Sequence, residues 1–267
     1  MKEQQKILLT DAAIGVFNLK DKLSFQREAI LVRLLYPFAS RRNIVGIHGP
    51  WHPDFIEGMR QLFNSDIDVR ERLQRAGASL IMPSIETTLA HAASLPQQTY
   101  VVFHPDSGKR VLNLIGEQKL NFPNNVIAAI ENDDSVRTGK YLDPGDDPRD
   151  PEVVHKLARK FEDFGILVHR IIDVEHLMNT YRNQEPISLL KRTRKKLGKI
   201  NILHLSGKHH QGYSLEEIVD FTHAAEPETL VLEGPVPFWQ IFSRRDELTR
   251  FKDLVEKIKT NILLTHR

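Results

Sequence analysis

The chain has 267 residues, 40% of them hydrophobic and 27% charged, proportions that suit a globular protein with a sizeable core. It contains no cysteine, which excludes disulfides, thiolate metal sites and cysteine nucleophiles and is compatible with a reducing compartment. A formal charge of +2 is not the footprint of an obligate nucleic-acid binder. No apolar run approaches the ~20 residues of a membrane span, and the opening residues carry no convincing signal-peptide core. The expectation is a soluble, cytoplasmic protein forming one domain over residues 1–267.

In chain order, Lys6 to Thr10 reads as a first strand closed by Asp11. Leu23 to Phe38 carries Ile30, Leu31, Leu34 and Leu35 at the spacing of a buried helical face. Asn43 to His48 is an apolar strand, stopped by Gly49-Pro50. Ser65 opens a helical pattern from Val69 to about Leu95, interrupted near Gly77 and Pro83. Tyr100 to His104 is the next strand, which His104-Pro105-Asp106 stops. Asn125 to Glu131 follows, and then a long polar, turn-rich loop from Asn132 to Asp150.

Glu152 to Phe164 repeats Val153, Leu157 and Phe161 at helical spacing, with Gly165 as its stop. Ile166 to Ile172 is a strand ending in Asp173, and His176 follows three residues later. The basic run Lys191 to Lys196 lies in a helix from Ile187 to Leu197. It reads as a solvated outer face anchored by Leu189, Leu190 and Leu197. Ile200 to His204 is a strand, Leu215 to about Ala225 a helix, and Thr229 to Glu233 a further strand cut off by Gly234-Pro235. A last helix spans about Arg244 to Lys259.

Strands alternating with helices imply an α/β fold with parallel pairing. The first strand lacks the G-x-G-x-x-G turn of an open dinucleotide-binding sheet. A (β/α)8 TIM barrel fits best, with an eighth strand near Gly212 to Ser214 or in the tail Ile262 to Leu264, because a barrel brings all strand ends to one face.

That convergence is where chemistry enters. Six apolar runs end in residues able to bind a divalent cation or move a proton: His48, His104, Glu131, Asp173, His204 and Glu233. Singly, such a residue is more often a helix cap or a wall residue. Together, three carboxylates cannot share a dry site fully ionised unless a cation neutralises them. The oxygen-rich set Glu131, Asp173, His204 and Glu233 suits Mn2+, Mg2+ or Co2+, while adding His48, His104 and His176 shifts the expectation toward Zn2+.

The pattern His48, His104-Pro105, Glu131-Asn132, Asp173-x-x-His176, His204-Leu205-Ser206 and Glu233-Gly234-Pro235 resembles the xylose-isomerase-like barrel superfamily, from about His48 to Glu233. That superfamily includes sugar and sugar-phosphate isomerases and epimerases and the endonuclease IV family. The resemblance to the epimerase branch implies one divalent metal on Glu131, Asp173, His204 and Glu233. Glu131 and Glu233 would also act as acid and base on a small carbohydrate, and His176 would bind a substrate hydroxyl. The nuclease branch implies a zinc cluster that adds His48, His104 and His176 and hydrolyses abasic nucleic acid. Its completing Asp-x-His pair is missing from Lys208-His209-His210, although His210 can supply one ligand. Gly207 stands where the epimerases commonly have an acidic residue, which admits a barrel that has lost catalysis. Pairing of two copies through helices or long loops is compatible with a barrel of this size.

Overall fold

The computed structural model describes residues 8–11, 13–18, 27–32, 44–49, 84–133, 141–205, 214–233, 257 and 260, with the backbone alone for 8–11, 13–18, 27–32, 215, 232 and 233. These residues form an α/β structure around one sheet. Its strands are β1 (Leu8–Asp11), β2 (Ala13–Asn18), β3 (Arg27–Val32), β4 (Ile44–His48), β5 (Thr99–Phe103), β6 (Val126–Glu131), β7 (Val168–Asp173), β8 (Ile202–Leu205) and β9 (Thr229–Glu233). Strands β4 to β9 are a half-barrel of six neighbours in sequence order, all parallel. β3 adds to β4 in parallel.

The first segment departs from expectation. β1 pairs antiparallel with β3 and β2 antiparallel with β9, so the opening strand runs against the others. The physical reason is the connection: only residues 19–26 separate β2 from β3, too few for the crossover helix that parallel pairing needs. Residues 27–32, expected within a helix from Leu23 to Phe38, are instead strand β3. A short apolar run such as Ala29-Ile30-Leu31-Val32 satisfies either period, and two flanking strands decide it here.

The expected elements from Tyr100 to Glu233 are present. The helices are α1 (Ile85–Ala93), α2 (Pro105–Gly116), α3 (Pro151–Asp163), α4 (Val174–Thr180), α5 (Pro186–Leu197) and α6 (Leu215–Ala225). In α3, Asp150 caps the Glu152 N–H and Pro151 starts the first turn, while Val153, Val154, Leu157, Ala158 and Phe161 are buried. In α5, Leu189, Leu190, Thr193 and Leu197 are buried and Lys191, Arg192, Lys195 and Lys196 face solvent. The basic run is thus an outer face, as its spacing predicts. Gly165 and Gly198, both at φ 72°, follow α3 and α5 in the left-handed conformation that glycine adopts without strain. Ser214 and Glu217 form a reciprocal capping box on α6, so Ser214 is not in an eighth strand. Helix α2 was not anticipated, because Pro105 reads as a strand stop. It stands at the first helical position, where its missing N–H costs nothing.

The expected helix from Val69 to Leu95 is described only from 84 onward, as α1. Residues 212 and 213, the tail 261–267 and nearly all of the last expected helix lie outside the described residues, apart from helical Lys257 and Thr260. No helix among the described residues is long and apolar enough to cross a membrane.

Strand alternation divides the core into layers. Tyr100 and Val102 of β5, Ala129 of β6, Ile171 of β7, Ile202 of β8 and Val231 of β9 form one apolar cluster on the concave face. Their neighbours point the other way. Val101, Phe103, Ala128 and Ile130 pack with α1 and α3, and Ile172, Leu203 and Leu230 with side chains of α4, α5 and α6. Gly46 pairs with Tyr100 across the β4–β5 ladder, and a Cβ there would stand 2.3 Å from the tyrosine ring. Gly46→Ala is therefore expected to cost about 1–3 kcal/mol through overpacking. Urea melts of a double-mutant cycle with Tyr100→Leu check this: the alanine cost should shrink markedly in the leucine background.

The loop before α3 is fastened from outside. Asp143 meets Lys109 at 2.9 Å, Lys160 at 3.0 Å and Lys156 at 3.3 Å, and Lys109 first, then Lys160, holds its carboxyl far below the usual range. The side chain is 39% exposed, so solvent screening limits the contribution to about 1 kcal/mol or less. A depressed carboxyl stabilises above its unfolded pKa and loses that contribution as pH falls toward its folded value. Asp143→Asn should lower stability slightly at neutral pH, and thermal melts should show the gap closing below about pH 4.

Candidate metal centre

The alternation that fills the concave face also builds its rim. Two residues beyond Val102, Ala129, Ile171 and Ile202 stand His104, Glu131, Asp173 and His204, all carried past the ends of the apolar layer. Glu131, Asp173 and His204 are at most 2% exposed. Asp173 and His204 are register partners across β7 and β8. His48 ends β4, and the Gly49 N–H donates to the Val102 carbonyl at 2.8 Å. A Cβ on Gly49 would lie 2.5 Å from that oxygen, so glycine lets β4 stay laced to β5 just past His48.

Glu131 is the centre of the arrangement. His204 Nδ1 lies 2.7 Å from its Oε1 and His104 Nε2 lies 3.5 Å from its Oε2. The His48 ring centroid is 6.1 Å from that of His204 and 6.5 Å from that of His104, and the His104 and His176 centroids are 6.0 Å apart. Burial opposes ionisation of Glu131, but His204, His104 and His48 together outweigh it and hold the carboxyl well below the usual range. Burial likewise pushes the His104 imidazole down, yet Asp133, whose Oδ2 is 3.6 Å from Nδ1, and Glu131 raise it overall against the opposing His176.

One ligand atom from each of His48, Glu131 and His204 falls within 4.8 Å of the others. Glu131 Oε2 is buried and makes no hydrogen bond among the described residues. A buried anionic oxygen without a hydrogen-bond donor is costly, and a cation between these groups relieves that cost. Two imidazoles and one carboxylate fit a divalent ion of the borderline class, Zn2+ above all, and leave positions for other ligands.

Asp173 and His176 have further tasks here. Asp173 caps α4, its Oδ1 accepting from the His176 N–H at 2.9 Å. His176 Nδ1 lies 2.7 Å from the Asn132 carbonyl oxygen. His104, by contrast, stands at the N-cap of α2 without capping it; its ring is turned to Glu131 and Asp133. Glu233 is the last residue of β9, two beyond Val231. Its side chain, with Gly207, His209 and His210, lies outside the described residues.

Of the other histidines, His169 lies on β7 two residues below Ile171, with its ring 6.1 Å from Tyr100, and burial lowers its pKa. The sequence pattern includes Asn132 only as the neighbour of Glu131, with no role, and omits Asp133. Their only signal is position, immediately after the strand-ending Glu131.

No family model matches the chain, and neither does any curated protein sequence. Among solved structures, the chain is similar to a xylose isomerase domain-containing protein from Salmonella typhimurium LT2. The match has 11% identity and a TM-score of 0.38, over 82% of this chain and 75% of that one. It is also similar to the EAL enzyme Bd1971 in its cAMP- and cyclic-di-GMP-bound form, at 12% identity and a TM-score of 0.29, over 95% of this chain and 59% of that one.

The capping role of Asp173 yields a direct expectation. Asparagine is an equivalent cap, whereas alanine removes it. Asp173→Ala should be about 1 kcal/mol less stable than Asp173→Asn, and equal denaturation midpoints for the two variants would remove the assignment.

Proposed function

We propose that the chain is a divalent-metal-dependent isomerase or epimerase acting on a small sugar or sugar phosphate, on a barrel whose closing strand is the segment 8–18. Barrel closure is supported by the pairing of that segment with β3 through β1 and with β9 through β2. Together with the seven parallel strands β3 to β9, it would make a ring of eight. The single observation that carries the function is the convergence of half-buried His48 with buried Glu131 and His204 at the strand ends. In parallel barrels this end is where active sites stand.

Bound there, a divalent cation would polarise a substrate carbonyl or hydroxyl. His48, Glu131 and His204 would hold it, with Asp173 and Glu233 as the further carboxylates of the strand-end set. The low pKa of Glu131 favours a ligand over a base, which leaves Glu233, at the end of β9, as the stronger candidate to move a proton on the adjacent carbon. His104, whose pKa Asp133 and Glu131 raise, would donate a proton to a substrate oxygen. His176 would bind a substrate hydroxyl.

One observation favours a second reading, a zinc-dependent phosphodiesterase of the abasic-site kind. Three imidazoles, His48, His104 and His204, act on one carboxylate, with the His176 ring 6.0 Å from that of His104, and nitrogen-rich sites suit zinc-generated hydroxide.

Metal analysis of the purified protein, joined to two activity panels, tests both. The expected result is one metal per chain and interconversion of at least one ketose or aldose, with Glu131→Gln binding the metal at least ~10-fold more weakly. Two or three zinc ions together with nicking of an abasic duplex would replace the isomerase with the hydrolase. Absence of metal after loading, in a folded sample, would leave a binding protein.

A further inference from the structure

Asn132 is fully buried and follows Glu131 directly, yet it cannot be a metal ligand of the charged kind that the rim supplies. Its side chain does something else. Oδ1 accepts from the Asp173 N–H at 2.8 Å, and Nδ2 donates to the Asp173 carbonyl at 3.2 Å. A carboxamide bonded both ways to one residue's N–H and C=O imitates a peptide group. It thus extends the β6–β7 pairing one step beyond the last backbone partners, Glu131 and Ile171. No other side chain of this length offers one donor and one acceptor in that fork.

The backbone of Asn132 then completes a ring. Its carbonyl oxygen is 2.7 Å from His176 Nδ1, while the Asp173 carboxylate accepts from the His176 backbone N–H at 2.9 Å. Four hydrogen bonds therefore tie Asn132, Asp173 and His176 into one closed unit. A carbonyl oxygen carries no proton, so Nδ1 must be the donor. In the neutral ring, Nε2 then bears the lone pair.

We infer that Asn132 is a positioning residue that locks His176 in the Nδ1–H tautomer and so makes Nε2 the atom presented to the site. The consequence for chemistry rests on the proposed function, because His176 would meet the substrate or a metal through that atom. The tautomer itself does not depend on it. His176 then acts as an acceptor or ligand, so a hydroxyl group on the substrate, which can donate to Nε2, is favoured over a carbonyl at this position. The general rule that the second ring nitrogen of an active histidine is fixed by a neighbouring acceptor applies here to a backbone oxygen, which Asn132 holds in place from its other end.

Long-range 1H–15N NMR of the metal-free protein at about pH 8, where an ordinary imidazole is neutral, reads the tautomer directly. The His176 signals are assigned by their loss in His176→Gln. The expected result is a protonated Nδ1 and an unprotonated Nε2 in the unmodified chain. In Asn132→Ala and Asn132→Ser the two nitrogen resonances should shift toward each other as the tautomers mix, with far-ultraviolet circular dichroism unchanged. An Nε2–H tautomer in the unmodified chain, or an unshifted pattern in both variants, would overturn the inference. So would loss of the cooperative fold in both variants, since Asn132 would then determine the fold and not the ring. A protein that fails every activity panel can still pass this test, so failure of the proposed function and failure of this inference remain distinguishable.

Discussion

A carboxylate that is kept ionised inside the protein governs the rest of the site. Glu131 is 2% exposed, and an isolated charge so placed would protonate or drag water inward. His48 at the end of β4, His104 just past β5 and His204 of β8 offset that burial and hold its pKa well below the usual range. Each owes its place to a separate strand. The half-barrel must therefore bring those strand ends into register before the charge is tolerable, and disturbing the register would leave Glu131 unpaired. Breaking one partner of such a buried set is far more damaging than the net worth of any single contact.

The same rim shows which local rules are kept and which are set aside. Most helices here begin with a side-chain cap, as at Ser84, Asp150, Asp173, Glu185 and Ser214. His104 occupies the same position before α2 and makes no cap. A ring that faces Glu131 and Asp133 cannot also turn back to the helix. Helix α2 is left to Pro105 and to the buried Val111, Leu112 and Leu114 on its apolar face. A local stability rule that is broken where titratable groups converge is what a functional site leads one to expect. Asp173 manages both duties, since one oxygen can cap α4 while the carboxyl group remains at the rim.

The Asn132–Asp173–His176 unit gives the rim a rigid side. It spans the ends of two neighbouring strands and the first turn of α4, so His176 moves only if all three move. His104 on the facing side is held differently, by charge from two carboxylates, and has no comparable hydrogen-bonded frame among the described residues. The two histidines therefore differ in kind although their centroids are 6.0 Å apart. One is fixed in tautomer by a neutral oxygen. The other has its pKa raised by the carboxylates of Asp133 and Glu131.

The sequence by itself determined the strand ends and the helices of the second half. Runs such as Asn125 to Glu131 and Thr229 to Glu233 are short, apolar and sharply bounded, and α3, α5 and α6 combine helical spacing with local caps and stops. All of that information lies within a few residues of where it acts. Only the tertiary structure decided the strand at 27–32 and the reversed direction of the opening segment, because pairing with residues far along the chain settles both. It also decided the grouping. From sequence, His48 is one more strand-end residue beside the four-ligand set; in the fold it joins Glu131 and His204, while Asp173 is shared with a helix cap. Which donor atoms meet depends on register, strand twist and side-chain direction across five strands, and no spacing along the chain encodes those.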